Sequence, residues 1–128
     1  IYPMTTLDIQ ATKETPSVFY NTDTFTLEIE GRSYPENSKA FYEPVVDFVN
    51  SLNPSYAYTF RFKMDYFNSS SSKMILDLML EMKKMIEHNK ATQIEWFYGE
   101  DDEDMIDAGN EYEELLQIPI QKIERVLA

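Results

Sequence analysis

"YAYTFRFKMDY", residues 56–66, alternates without a break. Tyr56, Tyr58, Phe60, Phe62, Met64 and Tyr66 hold one parity; Ala57, Thr59, Arg61, Lys63 and Asp65 hold the other. A β-strand points successive side chains to opposite faces, so this pattern specifies a strand with one packed face and one wetter face. That reading decides the architecture. A doubly wound sheet buries both faces of its central strands and shows continuous apolar runs instead. The segment therefore predicts a sheet covered by helices mainly on one side.

Working downstream, Ile75, Leu78, Met79, Met82, Met85 and Ile86 recur at helical spacing and predict a helix from about 71 to 89, its methionines serving the core. "TQIEWFY", 92–98, reads as a second strand with Ile94, Trp96 and Tyr98 on one face. A helix over roughly 101–116 places Met105, Ala108, Gly109, Tyr112, Leu115 and Leu116 on one stripe, and a glycine there predicts close approach of helix to sheet. Working upstream, Asn21-Thr22-Asp23 separates "SVFY" from "TFTLEIE" and predicts a hairpin over 17–30, with Phe25, Leu27 and Ile29 sharing a face and Gly31 ending the run. Asn37 or Ser38 suits a helix cap, and Pro44 predicts that the regular helix restarts near Glu43. Val45, Val49 and Leu52 form its stripe, and Asn53-Pro54 ends it.

The last segment, "IPIQKIERVLA", fits either a short strand through Ile118 and Ile120 or a helix through Leu116, Ile120, Ile123 and Leu127. Pro119 confines any strand there to an edge or a strand start. The order is β-β-α-β-α-β-α with an unassigned last element. The expected fold is α/β (α+β-like), a mixed sheet of about four to five strands with helices mainly on one face. With 128 residues, no internal repeat and no long linker, residues 1–128 read as one domain.

Composition narrows the function. An apolar share of 43% and an aromatic share of 14% support a packed core. Eleven basic residues against 23 acidic ones give a net charge of −12. Such a field repels phosphate backbones and anionic lipid, which argues against nucleic acid and membrane surfaces as partners. It keeps a protein soluble, and it suits a basic patch on a protein partner. Apolar runs fall far short of the ~20 residues that a membrane helix needs. The opening "IYPMTTLDIQ" lacks the basic and apolar segments of a secretion signal, and since residue 1 is not Met the true start is expected further upstream. Cysteine is absent, which removes disulfides, thiol catalysis and Cys-ligated zinc and fits a reducing, cytoplasmic setting. Without a secretion signal, the sequon at Asn68-Ser69-Ser70 carries little weight.

Catalytic candidates are thin. His88, the single histidine, falls near the end of a predicted helix, where it suits the dipole or solvent. The three glycines, at 31, 99 and 109, build no phosphate loop. The acidic block "GEDDEDMIDAG" supplies Glu100, Asp101, Asp102, Glu103, Asp104 and Asp107. An EF-hand reading fails for want of the glycine at its sixth position. Three readings remain: carboxylates complementing a helix N-terminus with Asp101 or Asp102 as cap, an acidic recognition patch, or a Mg²⁺ or Ca²⁺ site serving a small metal-dependent hydrolase.

"FNSSSSKM", 67–74, lies between a predicted strand and a predicted helix, which makes Ser69 to Ser72 the expected turn and cap region. Capping needs only one serine. A hydroxyl at a helix N-terminus is also a favourable place for a phosphate, because free N–H groups and the dipole suit a dianion.

"SYPEN", "AFYEP", "YFNSSSSK" and "WFYGEDDEDMIDAGNEY" together resemble the SiaC family of bacterial regulatory phosphoproteins, in the family's order, over about residues 33 to 112. The resemblance implies a STAS-like fold similar to anti-anti-sigma factors. It implies a non-enzymatic protein without a cofactor, switched by a Ser/Thr kinase and a PP2C-like phosphatase of a partner-switching pathway. It implies further that the unphosphorylated form binds and activates a diguanylate cyclase, in cyclic di-GMP signalling and biofilm formation. The family's modified threonine directly follows "YFN"; that position here is Ser69, the implied phosphoacceptor. Ser70, Ser71, Ser72 and Lys73 match the family, and with Tyr66, Asn68, Asp101, Asp102 and Asp104 they form the expected docking surface. If the strands at 56–66 and 92–98 are parallel neighbours, the serines and the carboxylates meet at one sheet edge.

Overall fold

The computed structural model describes residues 6–126. Six strands form one sheet in sequential order: β1 (Asp8–Ile9), β2 (Ser17–Asn21), β3 (Thr26–Ser33), β4 (Thr59–Phe67), β5 (Gln93–Gly99) and β6 (Gln121–Arg125). The first three pair antiparallel, and β3 to β6 run parallel. Each parallel connection carries a helix: α1 (Ser38–Ser51), α2 (Ser69–His88) and α3 (Glu103–Leu116). Right-handed crossovers that always step in the same direction leave all of these helices on one side of the sheet.

The burial pattern agrees with that layering. Leu27, Ile29, Phe60, Phe62, Met64, Ile94 and Trp96 are buried beneath the helices. The opposite parity, Glu28, Glu30, Arg61, Lys63 and Glu95, is only half-buried. It is laced by ion pairs: Arg61 to Glu95 at 2.8 Å and to Glu28 at 3.6 Å, Lys63 to Glu28 at 3.1 Å, and Arg125 to Glu30 at 3.2 Å and to Asp65 at 3.1 Å. Charge pairing lets a helix-free face stay wet and still hold neighbouring strands in register. None of the helices among the described residues is long and apolar enough to cross a membrane.

Several boundaries differ from expectation. The sheet has six strands, not four to five. The added β1 is two residues long, too short for any period to show. The last element is a strand, β6, and not a helix. It occupies the sheet edge, as Pro119 requires; Ile118 and Ile120 are buried just before it, and Leu127 lies outside the described residues. β4 begins at Thr59, not at residue 56. Tyr58 turns its hydroxyl back to the Asn53 carbonyl at 2.8 Å, and Tyr56 stacks on Phe25 at 5.5 Å. Pro44 starts no new helix: α1 is continuous through it, with Asn37 as the cap. The bond that Pro44 cannot make would have reached the carbonyl of Ala40, an exposed residue whose carbonyl water can satisfy.

Candidate functional site

The site begins with strand register. β4 and β5 are parallel, with Thr59 opposite Gln93 and Phe62 opposite Trp96. The segments that follow them therefore emerge at the same sheet edge. On the other side of β4, a shift between Gly31 and Arg32 brings Arg32 opposite Tyr66 and Ser33 opposite Phe67. Gly31 sits at φ +125°, a conformation that suits glycine alone. The Asn68 N–H then donates to the Ser33 carbonyl at 3.0 Å, so the chain leaves the sheet directly into α2.

The serines are not the turn and cap. Asn68 caps α2, its Oδ1 accepting the Ser71 N–H at 2.9 Å, and Ser69 to Ser72 form the helix's first turn. Asparagine in extended conformation is among the best N-caps, and its occupancy of that position frees every serine for another role.

The surroundings make the serines unequal. Ser71 is fully buried. Ser33 donates to Ser71 at 2.8 Å, and because a hydroxyl has one proton, Ser33 must accept from the Tyr42 hydroxyl at 2.6 Å. Ser70 donates to Asn68 Oδ1 at 3.1 Å, so it accepts from Ser38 at 2.8 Å. Ser38 has then spent its proton and accepts from Ser71 at 3.3 Å. The result is a one-way chain from Tyr42 through Ser33, Ser71, Ser38 and Ser70 to the cap residue Asn68. Ser72 belongs to a separate pair. The Tyr112 hydroxyl donates to the Ser72 carbonyl at 2.9 Å, so the Ser72 hydroxyl donates to Tyr112 at 3.0 Å. Burial pushes the Tyr42 and Tyr112 hydroxyls up to about 12, partly opposed by these serine bonds. Among the described residues, Ser69 is the exposed member of the run whose hydroxyl makes no hydrogen bond.

The acidic block folds as a helix start. Asp102 caps α3, its Oδ1 accepting the Met105 N–H at 3.1 Å, and Glu103 and Asp104 occupy the first turn. Asp65, Asp102, Asp104, Asp107 and Glu111 line a cavity of about 490 Å³, together with Tyr66 and Ser72. Among the described residues no basic side chain lines it. A groove of about 260 Å³ adjoins it between α2 and α3, lined by Ser69, Lys73, Leu76 and Leu115, and it shares Ser72 and Glu111 with the cavity.

Tyr66, Ser72, Asp102 and Asp104 thus share one concavity, with Ser69 and Lys73 in its continuation. Ser70 and Ser71 face α1 through Ser38, Asn68 is spent on the cap, and Asp101 is exposed in the turn ahead of α3, apart from both concavities. Among the described residues, no group of three or more His, Asp or Glu side chains is placed to hold a metal ion. His88 ends α2 and is exposed.

Sequence reasoning missed Ser33, Ser38 and Tyr42 as partners of the serine run, and it placed Tyr112 on a core stripe without a role for its hydroxyl. It also missed Arg32, whose guanidinium lies 5.5 Å from the ring centre of Tyr34 and 5.2 Å from that of Tyr66. Only the tertiary fold brings these groups together. Trp96 supports the whole edge from below: it meets Phe67 at 5.9 Å and Tyr112 at 5.4 Å, and its Nε1 donates to the Met105 carbonyl at 2.8 Å.

This architecture has known counterparts. A chain in the crystal structure of the diguanylate cyclase SiaD in complex with its activator SiaC from Pseudomonas aeruginosa superposes with a TM-score of 0.83 at 23% identity, over 93% of this chain and 99% of that one. The crystal structure of apo-SiaC from Pseudomonas aeruginosa gives 0.80 at 22% identity, over 96% of this chain and 100% of its own. An uncharacterized protein of Pseudomonas aeruginosa strain UCBPP-PA14 is 25% identical over 118 residues, 91% of this chain and 94% of that protein. The structural likenesses establish the mixed α/β fold. The family model described as SiaC family regulatory phosphoprotein matches residues 9–125, and the chain belongs to that family.

Proposed function

We propose that this chain is a non-enzymatic regulator that works by docking to protein partners and is switched by a phosphate on Ser69. In this reading residues 1–128 act as one regulatory domain in the cytoplasm. The unphosphorylated form binds and activates a diguanylate cyclase, a Ser/Thr kinase adds the phosphate, and a PP2C-like phosphatase removes it. The solved complex of SiaD with its activator SiaC supports a cyclase as the partner.

One observation carries the reading. Ser69 is the first residue of α2, exposed, with no bond to its hydroxyl among the described residues. The first-turn N–H groups of Ser69 and Ser70 have no intrahelical acceptor, so a phosphate there meets free donors and the positive end of the helix dipole. The same phosphate adds about −1.5 to −2 charge units beside a cavity lined by five carboxylates. A partner docked closely by shape on that edge is then displaced by the volume of the phosphate and by the repulsion it adds among the site's own carboxylates. Serine carries this phosphate as threonine does. The metal-dependent alternative has no ligand set among the described residues.

The test combines phosphosite mapping of the protein from its native cells with calorimetric titration against the purified cyclase. Ser69→Ala should bind as the wild type does, and Ser69→Asp should bind at least about tenfold more weakly, a difference of ~1.4 kcal/mol. Equal binding by Ser69→Asp, together with an unmodified Ser69 in cells, would sink the proposal.

A further inference from the structure

We propose that the fold itself selects the phosphoacceptor, with Tyr112 and Ser38 as the residues that withhold the neighbouring serines. The inference rests on the reading of Ser69 as an acceptor and adds how one hydroxyl is chosen from a run of four.

Phosphoryl transfer makes two demands on a serine. Its oxygen must present a lone pair in line with the γ-phosphorus of a nucleoside triphosphate, and its proton must pass to a base on the kinase. The Oγ–P bond forms, the bond from phosphorus to the β–γ bridging oxygen breaks, and the nucleoside diphosphate departs with that electron pair. A hydroxyl whose proton is already donated and whose oxygen already accepts a bond resists both demands.

Ser70 and Ser71 meet both conditions, and Ser72 meets the first, its proton being donated to Tyr112. Ser71 is fully buried and fixed between Ser33 and Ser38. Ser70 is exposed, but it accepts from Ser38 at 2.8 Å and donates to Asn68 at 3.1 Å. Ser72 is half-buried and donates to Tyr112 at 3.0 Å, while the Tyr112 hydroxyl is itself held by the Ser72 carbonyl at 2.9 Å. Ser72 lines the same groove as Ser69, so its separation from the acceptor role depends on Tyr112 and not on distance from the surface. Two substitutions therefore unlock specific neighbours. Tyr112→Phe keeps the ring that packs on Trp96 and removes the oxygen that holds Ser72. Ser38→Ala removes the donor to Ser70 and leaves the Asn68 cap in place.

The experiment expresses four chains in the source organism: wild type, Ser69→Ala, Ser69→Ala with Tyr112→Phe, and Ser69→Ala with Ser38→Ala. Purified protein is mapped by tandem mass spectrometry that resolves adjacent serines, and thermal melts confirm that each chain is folded. Wild type should carry phosphate on Ser69, and Ser69→Ala should carry almost none. The Tyr112→Phe double variant should gain phosphate on Ser72, and the Ser38→Ala double variant on Ser70, each roughly tenfold above Ser69→Ala, the weight of one hydrogen bond. If phosphate moves to Ser70 or Ser72 in Ser69→Ala alone, the neighbours are not withheld and the inference is wrong. If both folded double variants stay unmodified, the kinase makes the choice and the inference is equally wrong. Absence of phosphate from wild-type Ser69 overturns the acceptor reading and this inference with it.

Discussion

Gly109→Ala is the sharpest probe of how the site is supported. A methyl group at Gly109 would lie 2.6 Å from Trp96 Cδ1, 3.0 Å from Nε1 and 3.1 Å from Cγ. The obstacle is a rigid ring, fully buried and packed by Phe62 at 5.6 Å, Phe67 at 5.9 Å and Tyr112 at 5.4 Å. Either α3 backs away from the sheet or Trp96 shifts, and both strain the Nε1 bond to Met105. Overpacking costs about 1–3 kcal/mol and the lost bond about 0.5–1.5, against a gain of about 1 kcal/mol from replacing a helical glycine by alanine. The expected net loss is about 0.5–3.5 kcal/mol, a fall in melting temperature of roughly 2–14 °C. Urea unfolding followed by fluorescence reads it directly, because Trp96 is the chain's single tryptophan. The exposed neighbour Asn110 serves as control: Asn110→Ala gains only helix propensity and should stabilise by a few tenths of a kcal/mol. A Gly109→Ala protein as stable as the wild type, with unchanged emission, would refute the tight packing of α3 on Trp96.

The other tests separate cap, chain and acceptor. Asn68→Ala should cost about 1 kcal/mol in urea unfolding, as lost caps do, whereas Ser69→Ala should stay within about 0.5 kcal/mol. Ser33→Ala leaves the buried Tyr42 hydroxyl without its acceptor, takes away the donor to Ser71 and should cost about 1–3 kcal/mol; a loss below about 0.5 kcal/mol would mean that the chain is not held. Stability should also fall in alkali. Tyr42 and Tyr112 are held to about 12 in the fold against an ordinary 10.0, so the fold favours the protonated hydroxyl. That contribution is complete below pH 10 and is lost as pH rises to about 12, up to roughly 2–3 kcal/mol per tyrosine. Denaturation midpoints measured over this range should drop steeply for the wild type and less so for Tyr42→Phe.

What the sequence revealed was periodic, and what it concealed was long-range. The alternation of Phe60, Phe62 and Met64 against Arg61 and Lys63 named the buried and charged faces of β4 correctly, because strand geometry alone imposes a period of two. Gly109 on an apolar stripe marked the close approach to Trp96. The two residues of β1 were too few to show a period, and the identity of the final element turned on its position at the sheet edge. The serine run shows the limit most clearly. Local rules placed it at a helix start and read a serine as the cap, whereas Asn68, an equally good cap, holds that position. They could not distinguish Ser69 from Ser70, Ser71 or Ser72, because identical side chains on one turn differ only in what the fold brings to them. Tyr42, Ser33 and Ser38 arrive from the end of β3 and the start of α1, and Tyr112 from α3. The residues that leave Ser69 as the serine without a hydroxyl bond therefore lie outside the run, and on the proposed reading their substitution should change which serine is modified without altering the run itself.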